Sequence, residues 1–96
     1  MASVAHDGLA RAVRPVHSMF DGDTIFCVAT GQHAIEAGEQ TGLRRPTSRP
    51  GIVNALLAAA ADCFALACAR AVTESASIGG PPSYRDLCPS AFGGMG

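Results

Sequence analysis

Two aspartates one residue apart, Asp21 and Asp23, stand either side of Gly22 in the stretch FDGDTIFCVATG, residues 20–31, at the head of an apolar run. In extended backbone, residues i and i+2 point to one face, so the two carboxylates converge. Like charges held that close disfavour each other unless an ammonium, a guanidinium or a metal lies between them. The pair is a candidate seat for a cation. The plain alternative is an acidic turn in which Gly22 supplies a positive φ and the aspartates cap it. His17, a few residues upstream, is a candidate supporting group, ligand or base; a lone histidine also reads as a loop side chain bonded to backbone. A metal held by Asp21, Asp23 and His17 has suitable ligand types, but no spacing selects one, and hard cations ask for more oxygens. The expectation is therefore no metal and no other cofactor.

These residues must be positioned by what flanks them. Upstream, Ala5, Leu9, Ala12 and Val13 recur at i, i+4, i+7 and i+8, one face of a helix over residues 2–13. Asp7 and Arg11 form an i, i+4 pair on its other side. Gly8 costs about 1 kcal/mol relative to alanine inside a helix, which points to a tight crossing or an anchored end. Pro15 pushes Arg14 out of the α region and closes the helix. Downstream, Asp23 to Thr30 reads as a strand buried on both faces, because Ile25 to Ala29 is apolar without alternation. Residues 32–50 mix Gly, Glu, Thr, Arg and Pro and read as a mobile surface loop. A second helix follows from Pro50 or Gly51 to about Ser75, with Val53, Leu56 or Leu57, Ala60, Phe64 and Cys68 on one stripe and Arg70 and Glu74 as an i, i+4 pair. The cluster Gly79-Gly80-Pro81-Pro82 ends it, and residues 83–96 read as an extended tail.

Composition excludes several partners. The 96 residues carry a net charge of −1, with four Phe, one Tyr and no Trp. There is no basic footprint for nucleic acid, no polybasic membrane patch and no platform for base stacking. Ile52 to Ala69 is long enough to span a bilayer, but nearly half of it is alanine and Asp62 would cost about 2.5–3.5 kcal/mol at its centre; a buried soluble helix is the reading. The cysteines, Cys27, Cys63, Cys68 and Cys88, show no CxxC or zinc spacing and read as small core hydrophobes of a reduced, cytoplasmic protein. One doubly buried strand needs neighbours for its backbone groups, and no second strand of similar quality is present. The chain thus reads as a single incomplete domain over residues 1–96, completed by another polypeptide or by a longer version of itself.

Three blocks, HDGLARAVRPVHSMFDGDTIFCVATG, NALLAAAADCFALACARAV and PSYRDLCPSAF, together resemble the C-terminal part of the DmpA-type aminopeptidases, the family of L-aminopeptidase/D-esterases and β-peptidyl aminopeptidases. That resemblance implies an N-terminal-nucleophile hydrolase of α/β (α+β) class. This chain would be the C-terminal fragment of an αββα sandwich, with about two helices and one or two strands. Such enzymes cut their own precursor ahead of a Ser or Thr, whose freed α-amine then takes the hydroxyl proton near neutral pH. The positions matching the family's amine-orienting motif are Asp21, Gly22 and Asp23, with His17 in possible support; Asp21 stands where relatives carry a serine. No residue here matches the nucleophile: the only Asn is Asn54 in the second helix, and Ser3 lies in the first. The resemblance therefore implies a fragment of an aminopeptidase acting on peptide or amino-acid amide bonds, inactive alone. Its partner would be the upstream part or other subunit of the same hydrolase, in a homo-oligomer. The alternative is a non-catalytic complementing chain that pairs with a cognate subunit.

Overall fold

The computed structural model describes residues 1–35 and 48–93. Its order is α1 (Ala2–Ala12), α2 (Arg49–Glu74), α3 (Tyr84–Leu87) and a short 3-10 turn (Pro89–Phe92). The expected α/β fragment of a sandwich does not form. Among the described residues there are helices and no strand.

The physical reason is the one the strand count foreshadowed. A ladder needs a neighbouring strand about 4.7–4.9 Å away, and no described residue forms a strand to pair with residues 23–30. Those residues lie instead along the helices. Ile25, Phe26 and Cys27 share a cleft with Ala60, Cys63 and Phe64, whereas Ala29 to Ile35 share a groove with Ile52 and Leu56. The chain thus runs antiparallel to α2 without forming helix or strand of its own. It is not doubly buried either: Phe26 and Val28 are 88% and 87% exposed.

α2 exists because alanine and leucine fill a long stretch with good helix formers. Its start is built by Ser48, whose side chain accepts from the Gly51 amide at 3.0 Å, with Pro50 in the first turn where a missing N–H costs nothing. So α2 begins at Arg49, inside the stretch read as a 32–50 loop; residues 36–47 of that loop lie outside the described residues.

α1 crosses α2 on small residues. Ala5, Gly8 and Ala61 are buried, and Ala5 and Ala61 are the only buried apolar side chains among the described residues. A Cβ on Gly8 would lie 3.0 Å from the Ala61 carbonyl carbon and 3.1 Å from the Ala65 nitrogen. Gly8 is therefore a tight crossing, and backbone faces backbone there. Arg11 does not stay on its own helix with Asp7 but reaches Asp62 of α2 at 2.8 Å.

The C-terminal stretch also departs from the extended tail expected for 83–96. Ser83 caps α3, accepting from the Asp86 amide at 3.4 Å, and the 3-10 turn follows at Pro89. Residues 94–96 lie outside the described residues.

The result is open. The radius of gyration is 18.6 Å, against about 12.5 Å for a compact domain of this length. The accessible surface is 7932 Å², where a compact chain of this mass exposes about 5,100 Å². α2 is long and apolar enough to cross a membrane by length and composition, yet only 6% of its apolar window is buried here, so the expected burial of this helix is not achieved by the chain itself. The cysteines are not core residues either: Cys27 and Cys63 are exposed, and Cys68 and Cys88 are half-buried.

Candidate functional site

The loop between α1 and the stretch beside α2 carries all four residues singled out above, and it is folded by its own polar groups. The Asp21 amide donates to the Ser18 carbonyl at 3.1 Å, and the Asp21 carboxylate accepts from the Ser18 amide at 2.7 Å. This closed turn is the capping role that short acidic side chains perform. Gly22 does not take the left-handed conformation considered for it; among the described residues the glycines at positive φ are Gly31, Gly79 and Gly93. A Cβ at Gly22 would meet nothing within 4 Å, so the position leaves open space next to the carboxylates.

The left-handed residue of this loop is His17, at φ 55°. A non-glycine residue there costs of order 1–3 kcal/mol and persists where its surroundings fix it. Three contacts do so. Its Nδ1 lies 3.2 Å from the Asp23 carboxylate, its Nε2 lies 3.4 Å from the His6 carbonyl oxygen, and its ring meets the His6 ring edge-to-face at 5.1 Å. Both ring nitrogens thus face acceptors. A neutral imidazole has one N–H and can satisfy one of them, whereas the imidazolium donates to both. The ring is thereby held between the Asp23 carboxylate and the His6 carbonyl.

The two aspartates therefore do different work. Asp21 is spent on the turn, and Asp23 faces a cation-forming group. The side chains of His17 and Asp23 remain 41% and 31% exposed, so their contact is worth at most about 1 kcal/mol to stability. Its value is positional. His6 was not visible as a site residue in the sequence, because its spacing from His17 spans a helix end and a loop and matches no periodic pattern; its Nδ1 is buried and has no hydrogen-bond partner. Among the described residues no group of three or more His, Cys, Asp or Glu side chains is arranged to hold a metal.

Comparison with known proteins supplies the context for this loop. The model of peptidase family S58 matches residues 1–85, which include the whole His6–Asp23 region and both long helices. An uncharacterized aminopeptidase of Mycobacterium bovis and one of Mycobacterium tuberculosis are each 47% identical to this chain over 95 residues, covering 97% of it and 27% of their own length. A third, from Mycobacterium leprae, is 43% identical over 94 residues, covering 97% of this chain and 25% of its own. The chain spans about a quarter of the length of these relatives. No solved structure matches.

Proposed function

Because this chain belongs to peptidase family S58, the DmpA family it resembled on its motifs, we propose that it is the amine-orienting part of an aminopeptidase. On this reading it supplies Asp23 to a site whose nucleophile lies on sequence beyond these 96 residues. The observation that carries the reading is the division between the two carboxylates: Asp21 closes the turn at 2.7 Å from the Ser18 amide, and Asp23 is left facing His17 at 3.2 Å.

The chemistry follows from charge. A Ser or Thr hydroxyl is a weak nucleophile until a base takes its proton, and a free α-amine on the same residue can do so near neutral pH. The ammonium that forms needs a carboxylate to hold it. Asp23 has the charge for this, while His17, braced by the His6 carbonyl, fixes the direction in which that carboxylate points. The substrates would be peptides or amino-acid amides with a free amino end, and the site would need neither metal nor organic cofactor.

The test uses the chain joined to, or co-expressed with, the remaining three quarters of a mycobacterial relative. Alone, the 96-residue chain should release no p-nitroaniline from amino-acid p-nitroanilides. In the completed enzyme, Asp23→Asn keeps the shape and removes the charge. A charge-assisted hydrogen bond of about 1.5–3 kcal/mol then translates to a loss of about ten- to a hundredfold in kcat, with the acidic limb of the pH profile moved to lower pH. Asp21→Ser should be tolerated, since a hydroxyl can still accept from the Ser18 amide. Equal small losses for both, with the pH profile unmoved, would reduce the DGD stretch to a turn and overturn the reading.

A second reading is favoured by the surplus of exposed surface. The chain would then be a complementing piece without catalytic groups, its stretch beside α2 and the outer face of α2 covered by a cognate subunit. Under that reading Asp23→Asn leaves turnover intact, and only substitutions that disturb the α1–α2 crossing abolish it.

A further inference from the structure

The proposed chemistry uses the His6 carbonyl and leaves the His6 imidazole without a task. Its Nδ1 is buried and has no hydrogen-bond partner, a cost that persists only where the ring contributes in another way. What the ring touches is His17. The two rings meet edge-to-face with centroids 5.1 Å apart, inside the range of about 4.5–7 Å that aromatic pairs prefer. The other two contacts of His17 are weaker holds. The 3.4 Å from its Nε2 to the His6 carbonyl oxygen exceeds the roughly 2.7–3.2 Å of a good N–H···O bond. The 3.2 Å contact of its Nδ1 with Asp23 joins side chains that are 41% and 31% exposed, where water competes for both groups. Yet His17 stays at φ 55°, a region that disfavours any residue with a Cβ. The ring contact is the restraint that remains.

We infer that His6 is a positioning residue for the proposed site: its ring holds His17 in the left-handed conformation, and His17 in turn sets where the Asp23 carboxylate points. The inference rests on the reading of Asp23 as the amine-orienting group. The sequence His6, His17, Asp23 has the residue types of a proton relay, but the side-chain link between the two histidines is a ring contact and not a hydrogen bond. The His6 ring therefore acts as an aromatic surface, with its nitrogens idle. It follows that Phe can replace His6 and Ala cannot. Both variants keep the backbone carbonyl at position 6, and Ala is the better helix former, so neither loss is owed to α1 itself.

The experiment has two arms. In nuclear Overhauser spectra of the isotope-labelled full chain, a strong cross-peak between the amide and Hα protons of His17 marks its positive φ, and cross-peaks from its ring to the Asp23 β-protons mark their contact. Both should be present in the native chain and in His6→Phe and vanish in His6→Ala, while α1 keeps its amide-exchange protection in all three. In the enzyme completed with the rest of a mycobacterial relative, His6→Ala should lower kcat about two- to tenfold, the worth of one aromatic contact. KM should stay unmoved, the acidic limb of the pH profile should move in the direction produced by Asp23→Asn, and His6→Phe should restore both kcat and the profile. Cross-peaks that are absent from the native chain, that survive His6→Ala or that vanish equally in His6→Phe would overturn the assignment, as would unchanged kinetics of His6→Ala in an enzyme that Asp23→Asn disables. Silence of Asp23→Asn itself would strike the catalytic reading, and the cross-peaks would still decide whether the His6 ring holds His17.

Discussion

The middle of α2 and its C-terminal end are held by opposite means. Near its middle, α1 is held by the absence of side chains: Ala5, Gly8 and Ala61 let two backbones approach until no Cβ fits at position 8. Beyond its C-terminus, the stretch from Ser75 to Phe92 is held by polar side chains. Arg85 donates from Nε to the Thr73 carbonyl at 2.6 Å and reaches Glu74 at 3.4 Å, while its guanidinium lies 4.6 Å from the centre of the Phe92 ring. Ser77 donates to Asp86 and accepts from the Ser83 amide at 2.7 Å, and Ser83 donates to Asp86 at 3.1 Å. The contrast teaches where each region is vulnerable. The crossing fails when volume is added, and the clasp fails when charge or a hydrogen bond is removed.

The largest effect is expected at the crossing. Gly8→Val gains only a few tenths of a kcal/mol in helix propensity, but its branched side chain meets the Ala61 and Ala65 backbone, which cannot rotate away. Overpacking of this kind costs about 1–3 kcal/mol, and the helices must part. Amide hydrogen exchange should show residues 2–12 losing protection while the stretch 75–92 keeps it. Retained protection of α1 would mean that the helices can slide to make room.

A smaller effect is expected at the clasp, and it depends on pH. The Ser77 and Ser83 hydroxyls hold the Asp86 carboxyl below its ordinary value of 3.8, since both bond to the charged form. A carboxyl depressed by folding contributes stability above its unfolded pKa and loses it as the pH falls through the folded one. Acidification below 3.8 should therefore shift the Ser77 and Ser83 amide resonances. Asp86→Asn should remove that acid-dependent step. An identical acid response in the variant would assign the transition to another group. The smallest effect is expected for Arg11→Met, which removes a pair whose side chains are 59% and 75% exposed; the loss should lie within about 0.5 kcal/mol in thermal unfolding, and a larger one would make charge, not close approach, the tie between α1 and α2.

How much of this was legible in the sequence differs by the range of the interaction. α1, its end ahead of Pro15 and the meaning of Gly8 follow from periodicity and propensity, which are local. The start of α2 was legible in Ser48 and Pro50 as cap and first-turn proline, and α3 in the Ser83-to-Asp86 spacing of a capping box; both signals were submerged in stretches rich in Gly, Pro and charge. The strand was misread because an apolar run without alternation specifies burial, while pairing depends on a neighbour that the run itself does not encode. At the candidate site, the Asp-Gly-Asp spacing marked the right loop, but convergence of the carboxylates assumed extended backbone from Asp21 onward. The Ser18–Asp21 turn separates their roles, and the His6–His17 contact depends on a left-handed residue that no local rule places at a histidine.

The stretch from Met19 to Val28 has a consequence for the life of the chain in a cell. Met19, Phe20, Phe26 and Val28 lie almost wholly uncovered on backbone that forms no ladder, which is the chemical form in which holdase chaperones and processive proteases meet their clients. Abundance is then governed by a race between capture and shielding. A partner that covered these side chains would lengthen the half-life of the polypeptide, and the decay rate in pulse-chase labelling would report it.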